Sequence, residues 1–158
     1  MRKLMTTLLI LFVLILMGIF SMGIYSHKAP EPGLIDGKLS PCPDKPNCVC
    51  SETDATNTHH IRALSSNGAD HHVAWGKLIA TVKSLGGDIQ QRTDTYLHAT
   101  FTSSLFHFVD DLEVRLDTET DSIHVRSASR VGHSDFGVNR QRVEQIRLEY
   151  DKVLSRSI

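Results

Sequence analysis

The stretch FHFVDDLEVRLDTETDSIHVRSAS, residues 106–129, carries the clearest structural pattern in the chain. Apolar and polar residues alternate on both sides of a short polar segment, which predicts two antiparallel strands joined by a turn. Pairing Leu116 with Ile123 across this turn puts Val114 opposite Val125, so that the apolar side chains share one face. The stretch therefore predicts a hairpin whose register is set by its apolar face.

The predicted register also pairs polar residues of the two strands. Asp110 comes to lie opposite Ser129 on the apolar face, and Glu113 meets Arg126 on the opposite face as a favourable charge pair. A carboxylate on the core-facing side has to be hydrogen-bonded or paired, because burying an unpaired charge costs too much free energy. We therefore expect an arginine from residues 130–142 to compensate Asp110.

Two helices and further strands surround the hairpin in the predicted fold. Residues 69–87 and 139–153 carry apolar residues at helical spacing, whereas residues 88–93 and 96–102 have the pattern of strands. Residues 59–64 supply a short candidate strand for the sheet edge. The sequence thus predicts an α+β fold: a four-stranded antiparallel meander, with a fifth short strand at its edge, and two helices on one face. We expect the other sheet face to be exposed or to cover a partner.

The N-terminal segment has the composition of a membrane-spanning helix. Residues 4–24 contain no charged side chain, and their length matches the roughly 30 Å hydrocarbon core of a bilayer. A cleaved signal peptide is the alternative, but residues 20–29 supply a poor cleavage site for one. Arg2 and Lys3 favour a cytoplasmic N-terminus. We expect an uncleaved single-pass anchor in the cytoplasmic (inner) membrane of a bacterium, with the soluble domain in the periplasm.

The chain divides into three predicted parts with different partners. Residues 1–25 form the anchor, residues 26–56 a Pro- and Gly-rich linker with the cysteine segment, and residues 57–158 the α+β domain. The 17 Lys and Arg against 18 Asp and Glu exclude a strongly basic nucleic-acid binder. The expected partners are the lipid bilayer through residues 4–24 and a small anionic ligand, a lipid or an envelope protein.

All three cysteines lie in PCPDKPNCVCSE, residues 41–52. An oxidising compartment favours a disulfide, and a bond from Cys42 to Cys48 would close a short loop already bent by two prolines. Cys48 and Cys50 lie too close along an extended strand to pair easily. A metal site with a histidine such as His59, or free and redox-active thiols, are the alternatives, although the spacing lacks the usual C-x-x-C knuckle.

The nine histidines show no spacing that would aim two rings at one metal ion. Those in predicted strands, His98, His107 and His124, are expected to face outward. Solvated histidines are the simplest interpretation, so the sequence predicts neither a metal ion nor a cofactor.

Three stretches of the chain together closely resemble the family called domain of unknown function 1499. They are residues 41–52, YLHATFTSSLFHFVDDLEVRLD at 96–117 and HVRSASRVGHSDFGVNRQRVEQIR at 124–147, and the resemblance runs from about residue 40 to 150. It implies an extracytoplasmic or membrane-associated bacterial domain, with relatives in plastids, and it implies no reaction. Its signature polar residues fall on Asp110, Asp111, Arg126, Ser127, Ser129, Arg130, Asp135, Asn139 and Arg142. Cys50 stands where the family usually has serine, so the resemblance implies Cys42–Cys48 as the standard pair.

The polar stretch 125–147 allows three interpretations. As an anion site, it would combine the free N–H groups of a helix start near Asn139 with arginines such as Arg130 and Arg142. As a scaffold, its arginines would be neutralised by nearby aspartates. As a hydrolase, it would use Ser129 or Ser134 with a distant histidine and aspartate, although no G-x-S-x-G motif exposes a serine. We interpret it first as a strand-to-helix join whose polar network fixes the architecture and on which a binding surface can be built. The expected function is a binding or envelope-structural module, with the hydrolase as the alternative.

Overall fold

The computed structural model, which describes residues 1–156, is an antiparallel sheet with two helices on one face and a long N-terminal helix. The helices are α1 (Arg2–Ser26), α2 (His71–Ser84) and α3 (Val138–Ser155). The strands are β1 (Leu34–Ile35), β2 (Lys38–Leu39), β3 (Cys48–Cys50), β4 (Leu64–Ser65), β5 (Asp88–Arg92), β6 (Tyr96–Thr102), β7 (Val109–Asp117) and β8 (Ser122–Ser129). The predicted α+β class is confirmed.

The sheet has the order β3-β8-β7-β6-β5, and β4 also pairs with β8. The predicted meander is therefore β5 to β8, and two short strands rather than one flank its β8 edge. The predicted register is confirmed: Leu116 pairs with Ile123, and Val114 with Val125. The edge strand expected at residues 59–64 shares only Leu64 with β4.

The strand β7 begins at Val109, three residues later than the alternation of phenylalanines predicts. The chain turns back in residues 103–108, where His107 has φ 56° and the Ser103 N–H donates to Phe108 O at 2.9 Å. Phe106 and Phe108 therefore belong to a turn, which we call the 103–108 loop. This loop lies where the sheet meets α1.

The main core lies between the sheet and helices α2 and α3. Leu112, Val114, Ile123 and Val125 of the central strands are buried there, together with Tyr150 of α3. The N-terminus of α2 is capped by Asp70, whose side chain accepts hydrogen bonds from two backbone N–H groups of the first turn. Both helices therefore cover the sheet face that carries Asp110 and Ser129.

The opposite sheet face is covered by the chain itself, so the expectation of an exposed or partner-binding face is wrong. Leu39 of the β1–β2 hairpin is buried in a small cluster with Cys50 and Tyr96, and Cys42 packs against it. β3 forms three antiparallel pairs with β8, so the sheet begins before residue 57. The segment 26–56 is therefore not an extended linker: its few apolar residues, Leu39 and Cys42 among them, cover this face, and β3 extends the sheet.

The last turn of α1 is packed into the folded domain. Gly23 and Ser26 are the buried residues of this helix, and a Cβ on Gly23 would lie 1.8 Å from Phe106 O. Ser26 Oγ accepts a hydrogen bond from Val109 N at 3.1 Å, so it caps the start of β7. Apart from Arg2 and Lys3, the remainder of α1 has no charged residue and is mostly exposed. Its 25 residues are enough to span a membrane.

Candidate functional site

The nine signature residues divide between the two faces of the sheet, because neighbouring strand positions point to opposite sides. Six lie towards α3 and form what we call the helix-side network: Asp110, Ser127, Ser129, Asp135, Asn139 and Arg142. Three lie on the other side, and with three residues from β6 and β7 they form the opposite-face network: Tyr96, His98, Asp111, Glu113, Arg126 and Arg130. The nine signature residues therefore belong to two networks on opposite faces of the sheet and do not form a single site.

Arg142 is the cation that compensates Asp110, as the sequence predicted. Its Nη2 lies 2.6 Å from Asp110 Oδ2, and both side chains are nearly buried, at 12% and 13% exposure. Its Nη1 donates to Ser127 Oγ at 3.0 Å and to Asn139 Oδ1 at 2.6 Å, and the guanidinium stacks over the Phe101 ring. Arg142 therefore joins α3 to the ends of β6, β7 and β8.

Asp135 and Asn139 build the start of α3. Asp135 accepts hydrogen bonds from the backbone N–H groups of Gly137 and Asn139, at 3.0 and 2.8 Å. These bonds hold the pKa of Asp135 below its ordinary value, although burial alone would raise it. The helix N-terminus thus already has an internal carboxylate in the position where an external anion would bind.

Asn47 connects the cysteine segment to the helix-side network. Its backbone O accepts from Ser129 N at 3.0 Å and from Asn139 Nδ2 at 3.1 Å, while its own Nδ2 donates to Gly132 O. Asn47 precedes Cys48, which forms the predicted disulfide with Cys42. The disulfide is therefore confirmed, and it holds in place the segment that fixes the end of β8.

On the opposite face, Asp111 is held by a histidine and an arginine. His98 Nε2 lies 2.7 Å from Asp111 Oδ1, and Arg130 binds both carboxylate oxygens at 2.8 and 2.9 Å. Burial alone would raise the pKa of Asp111, but these hydrogen bonds outweigh it and hold the pKa below its ordinary value. The expectation that His98 faces outward is wrong, because its side chain is fully buried and bonded to Asp111.

Glu113 lies near Asp111 on the same face, but its pKa is shifted in the opposite direction. It accepts from Tyr96 Oη and from Arg126 Nη1, both at 2.9 Å, so the predicted Glu113–Arg126 pair is confirmed. Complete burial nevertheless raises the pKa of Glu113 above its ordinary value, because desolvation outweighs these two partners. The same burial raises the pKa of Tyr96.

A cleft of about 240 Å³ opens where the end of α1, the 103–108 loop and the segment 131–138 meet. Its walls are mostly apolar, with Met22, Phe108 and Val131 among them. Three residues of the helix-side network, Asp110, Ser129 and Asp135, form a polar edge of the cleft. Ser134, which is not a member of the network, also lies on this edge. This cleft is the place where the signature residues meet the membrane-length helix.

The geometry does not favour the hydrolase interpretation. Ser129 Oγ accepts from Asn139 Nδ2 at 2.9 Å, and Ser134 Oγ accepts from Phe136 N at 3.2 Å. Neither hydroxyl has a histidine as hydrogen-bond partner within residues 1–156. The general base that would activate such a serine is therefore lacking beside either one in the described part of the chain.

The arginines expected to hold an anion are engaged with internal acceptors. Arg130 binds Asp111, and Arg142 binds Asp110. Arg140 donates to the backbone oxygens of Thr58 and His60 at 2.8 and 2.9 Å. An anionic ligand would have to displace these acceptors.

The remaining cysteine and histidines do not form a metal centre in the structure described. Cys42 and Cys48 are bonded to each other, and burial raises the pKa of the free Cys50 thiol. Within residues 1–156 no group of three His, Cys, Asp or Glu side chains is arranged to hold a metal ion. His107 lies in the 103–108 loop and is exposed, whereas His124 is half-buried on β8.

The sequence interpretation missed Tyr96, His98 and Asn47 as members of these networks. For Tyr96 and His98 the signal was present, because their alternation with Leu97 and Ala99 puts them on the face of Asp111. Their burial, however, depends on the residues that cover this face, and those residues show no periodic pattern in the sequence.

A family model matches residues 38–149, more than half of the chain, and its description is "Protein of unknown function (DUF1499)". The match begins at β2 and ends in α3, so it contains both networks and the disulfide. No curated protein matches the chain.

Proposed function

Since the chain belongs to the family of proteins of unknown function DUF1499, we propose its role from its own geometry. It is a membrane-anchored extracytoplasmic binding module, whose folded domain is held against the bilayer surface by an uncleaved α1. Its binding site is the cleft beside the end of that helix.

The observation that carries this proposal is the junction between α1 and the domain. Ser26 is fully buried; it accepts a hydrogen bond from Val109 N and, through its backbone O, one from Arg130 Nη1 at 3.4 Å. Cleavage after Ser26 would remove these contacts and expose the start of β7. A cleaved signal peptide is absent from the mature protein, so its contacts could not stabilise the mature fold.

The position of the 103–108 loop along the axis of α1 supports direct contact between the domain and lipid. Leu105, at the tip of the 103–108 loop, is 71% exposed and lines a cavity together with Met17 and Phe20 of α1. Met17 precedes Ser26 by about 14 Å along the helix axis, at roughly 1.5 Å per residue. With α1 across a bilayer, Leu105 would therefore lie among the acyl chains rather than in water.

The charges near α1 support an extracytoplasmic domain. Arg2 and Lys3 precede the apolar stretch, and cytoplasmic flanks carry the excess of basic residues. The Cys42–Cys48 disulfide fits an oxidising compartment such as the periplasm.

Binding is favoured over catalysis by the state of the polar groups. The two carboxylates that line the cleft already have internal partners: Asp110 binds Arg142, and Asp135 accepts hydrogen bonds from the backbone N–H groups of Gly137 and Asn139. The networks fix the walls of the cleft, and an apolar cleft with few polar groups is the usual form of a ligand site.

A topology experiment tests this function. We expect the full chain, with alkaline phosphatase fused after residue 158, to stay in carbonate-washed membranes and to be active, because phosphatase folds only outside the cytoplasm. Replacing Arg2 and Lys3 by glutamate should lower this activity, since it removes the basic flank. The matched control, Lys28→Glu, should retain it. Active fusion protein in the soluble fraction, or an inactive membrane-bound fusion, would refute the proposed topology.

A further inference from the structure

We propose that the cleft holds one ester-linked acyl chain of a bilayer lipid, drawn up from the membrane beside the end of α1. This inference rests on the proposed function, because it requires α1 to cross the bilayer. It adds the chemical class of the ligand and the direction from which that ligand enters.

The cleft lies beside the end of α1, so the bilayer around this helix is the source of its ligand. Met22 lines the cleft and also belongs to the apolar stretch of α1, so lipid-facing surface continues into the cleft without a polar barrier at this residue. Phe136 lines the cleft on the other side and is 93% exposed. Large exposed apolar side chains beside a membrane-length helix are the mark of a surface that contacts lipid.

The lining of the cleft suits a hydrocarbon chain with an ester group. Val109, Val131 and Val138 supply branched apolar walls. The hydroxyls of Ser129 and Ser134 each accept one hydrogen bond, and within the described residues neither donates one. Each hydroxyl proton can therefore be given to the carbonyl oxygen of a lipid ester.

The charges of the cleft argue against a phosphate or a carboxylate as the bound group. Within residues 1–156 the lining of the cleft includes two carboxylates, Asp110 and Asp135, and no Lys or Arg, and Asp110 already binds Arg142. Asp135 also occupies the N-terminus of α3, where a phosphate would otherwise be favoured. The headgroup phosphate therefore stays outside, and the neutral acyl ester enters.

The size of the cleft limits how much of the lipid is held. Its volume of about 240 Å³ is below the range of roughly 300 Å³ and more that is typical of pockets enclosing a whole small molecule. It can therefore take part of one chain, while the second chain remains in the bilayer.

Photocrosslinking of the full-length protein in phosphatidylcholine vesicles tests this inference. The probe is phosphatidylcholine with a diazirine in one acyl chain, a few carbons from the ester, because this part of the chain enters the cleft. In ordinary bilayer lipid these carbons lie near the membrane surfaces, so lipid of the leaflet away from the domain labels the N-terminal turns of α1, around Leu8. We expect crosslinks in residues 131–138 as well as in these turns of α1.

Two variants fill the cleft: Val131→Trp and Val138→Trp. We expect each to lose the crosslinks in the cleft and to keep those in α1, because the indole takes the space of the chain. Val73→Trp, at an exposed position of α2 outside the cleft, is the matched control and should keep both. Labelling of α1 alone in the unaltered protein overturns the acyl-chain site and leaves the anchor intact. Absence of labelling in α1 overturns the anchor, and with it the proposed function.

Discussion

At the scale of single residues, neighbouring carboxylates of β7 have different neighbours because they alternate between the sheet faces. Asp110 points towards α3 and is paired with Arg142, whereas Asp111 points under the folded segment 26–56 and is paired with His98 and Arg130. Each pair is desolvated, so the loss of one partner leaves the other buried and poorly satisfied.

Removing the charge of Asp110 should therefore destabilise the domain. We expect Asp110→Asn to lower the free energy of unfolding by about 3 kcal/mol, because Arg142 keeps its charge and loses its carboxylate. Asp94→Asn, at an exposed position, is the control and should change it by about 0.5 kcal/mol or less. Denaturant unfolding of the two variants in detergent micelles gives both values. Equal and near-zero losses would show that Asp110 is not part of the architecture.

The pKa directions of Asp111 and Glu113 predict opposite pH dependences for two neighbours on one face. The pKa of Asp111 is lowered by folding, so its stabilisation is present above the unfolded value of about 4 and is lost as pH falls through the lower folded pKa. The pKa of Glu113 is raised, so its contribution is largest below the unfolded value and declines as pH rises through the higher folded pKa.

The comparison of Asp111→Asn and Glu113→Gln with the unaltered protein measures these signs. The stability difference between the unaltered protein and Asp111→Asn should grow as pH rises up to about 4. The difference for Glu113→Gln should shrink as pH rises above about 4. Unfolding free energies measured over a pH series give both differences. Slopes of the same sign for the two differences would contradict the opposite pKa shifts of Asp111 and Glu113.

At the scale of the secondary-structure elements, the contact between α1 and the 103–108 loop requires a glycine. We expect Gly23→Ala to lower the free energy of unfolding by roughly 1–3 kcal/mol, because its Cβ would overlap Phe106 O and force the two elements apart. Gly18→Ala has open space around its Cβ, and the gain in helix propensity should make it neutral or slightly stabilising.

Thermal unfolding in micelles, with hydrogen exchange at the Val109 amide, distinguishes the two glycine variants. The Val109 amide donates to Ser26 and should exchange faster only in Gly23→Ala. Identical melting and exchange in both variants would mean that α1 is not packed against the domain.

The sequence predicted the elements with local periodic signals and missed those held by irregular contacts. The β7–β8 register follows from apolar alternation across one turn, which is why Asp110 and Ser129 were correctly paired. The cover over the opposite face is made by residues such as Leu39 and Cys42, which lie in a Pro- and Gly-rich segment without any period. The burial of His98 depends on that cover and could not be read from β6 alone.

At the scale of the whole molecule, α1, the disulfide segment and the sheet form one connected structure. Ser26 binds the start of β7, and Asn47 binds the end of β8 and the start of α3. The cleft lies between these two connections, so its shape depends on both. With α1 across a bilayer, as we propose, these contacts would give the domain a fixed orientation to the membrane and the cleft a fixed depth.

The intact mass of the protein extracted from membranes distinguishes a retained α1 from a cleaved one. We propose that α1 is an uncleaved part of the mature fold, joined to the domain through Gly23 and Ser26. We therefore expect a mass that includes the whole of residues 4–24. A mature N-terminus between residues 22 and 30 would contradict it, because the apolar segment long enough to span a bilayer would then be absent from the mature protein.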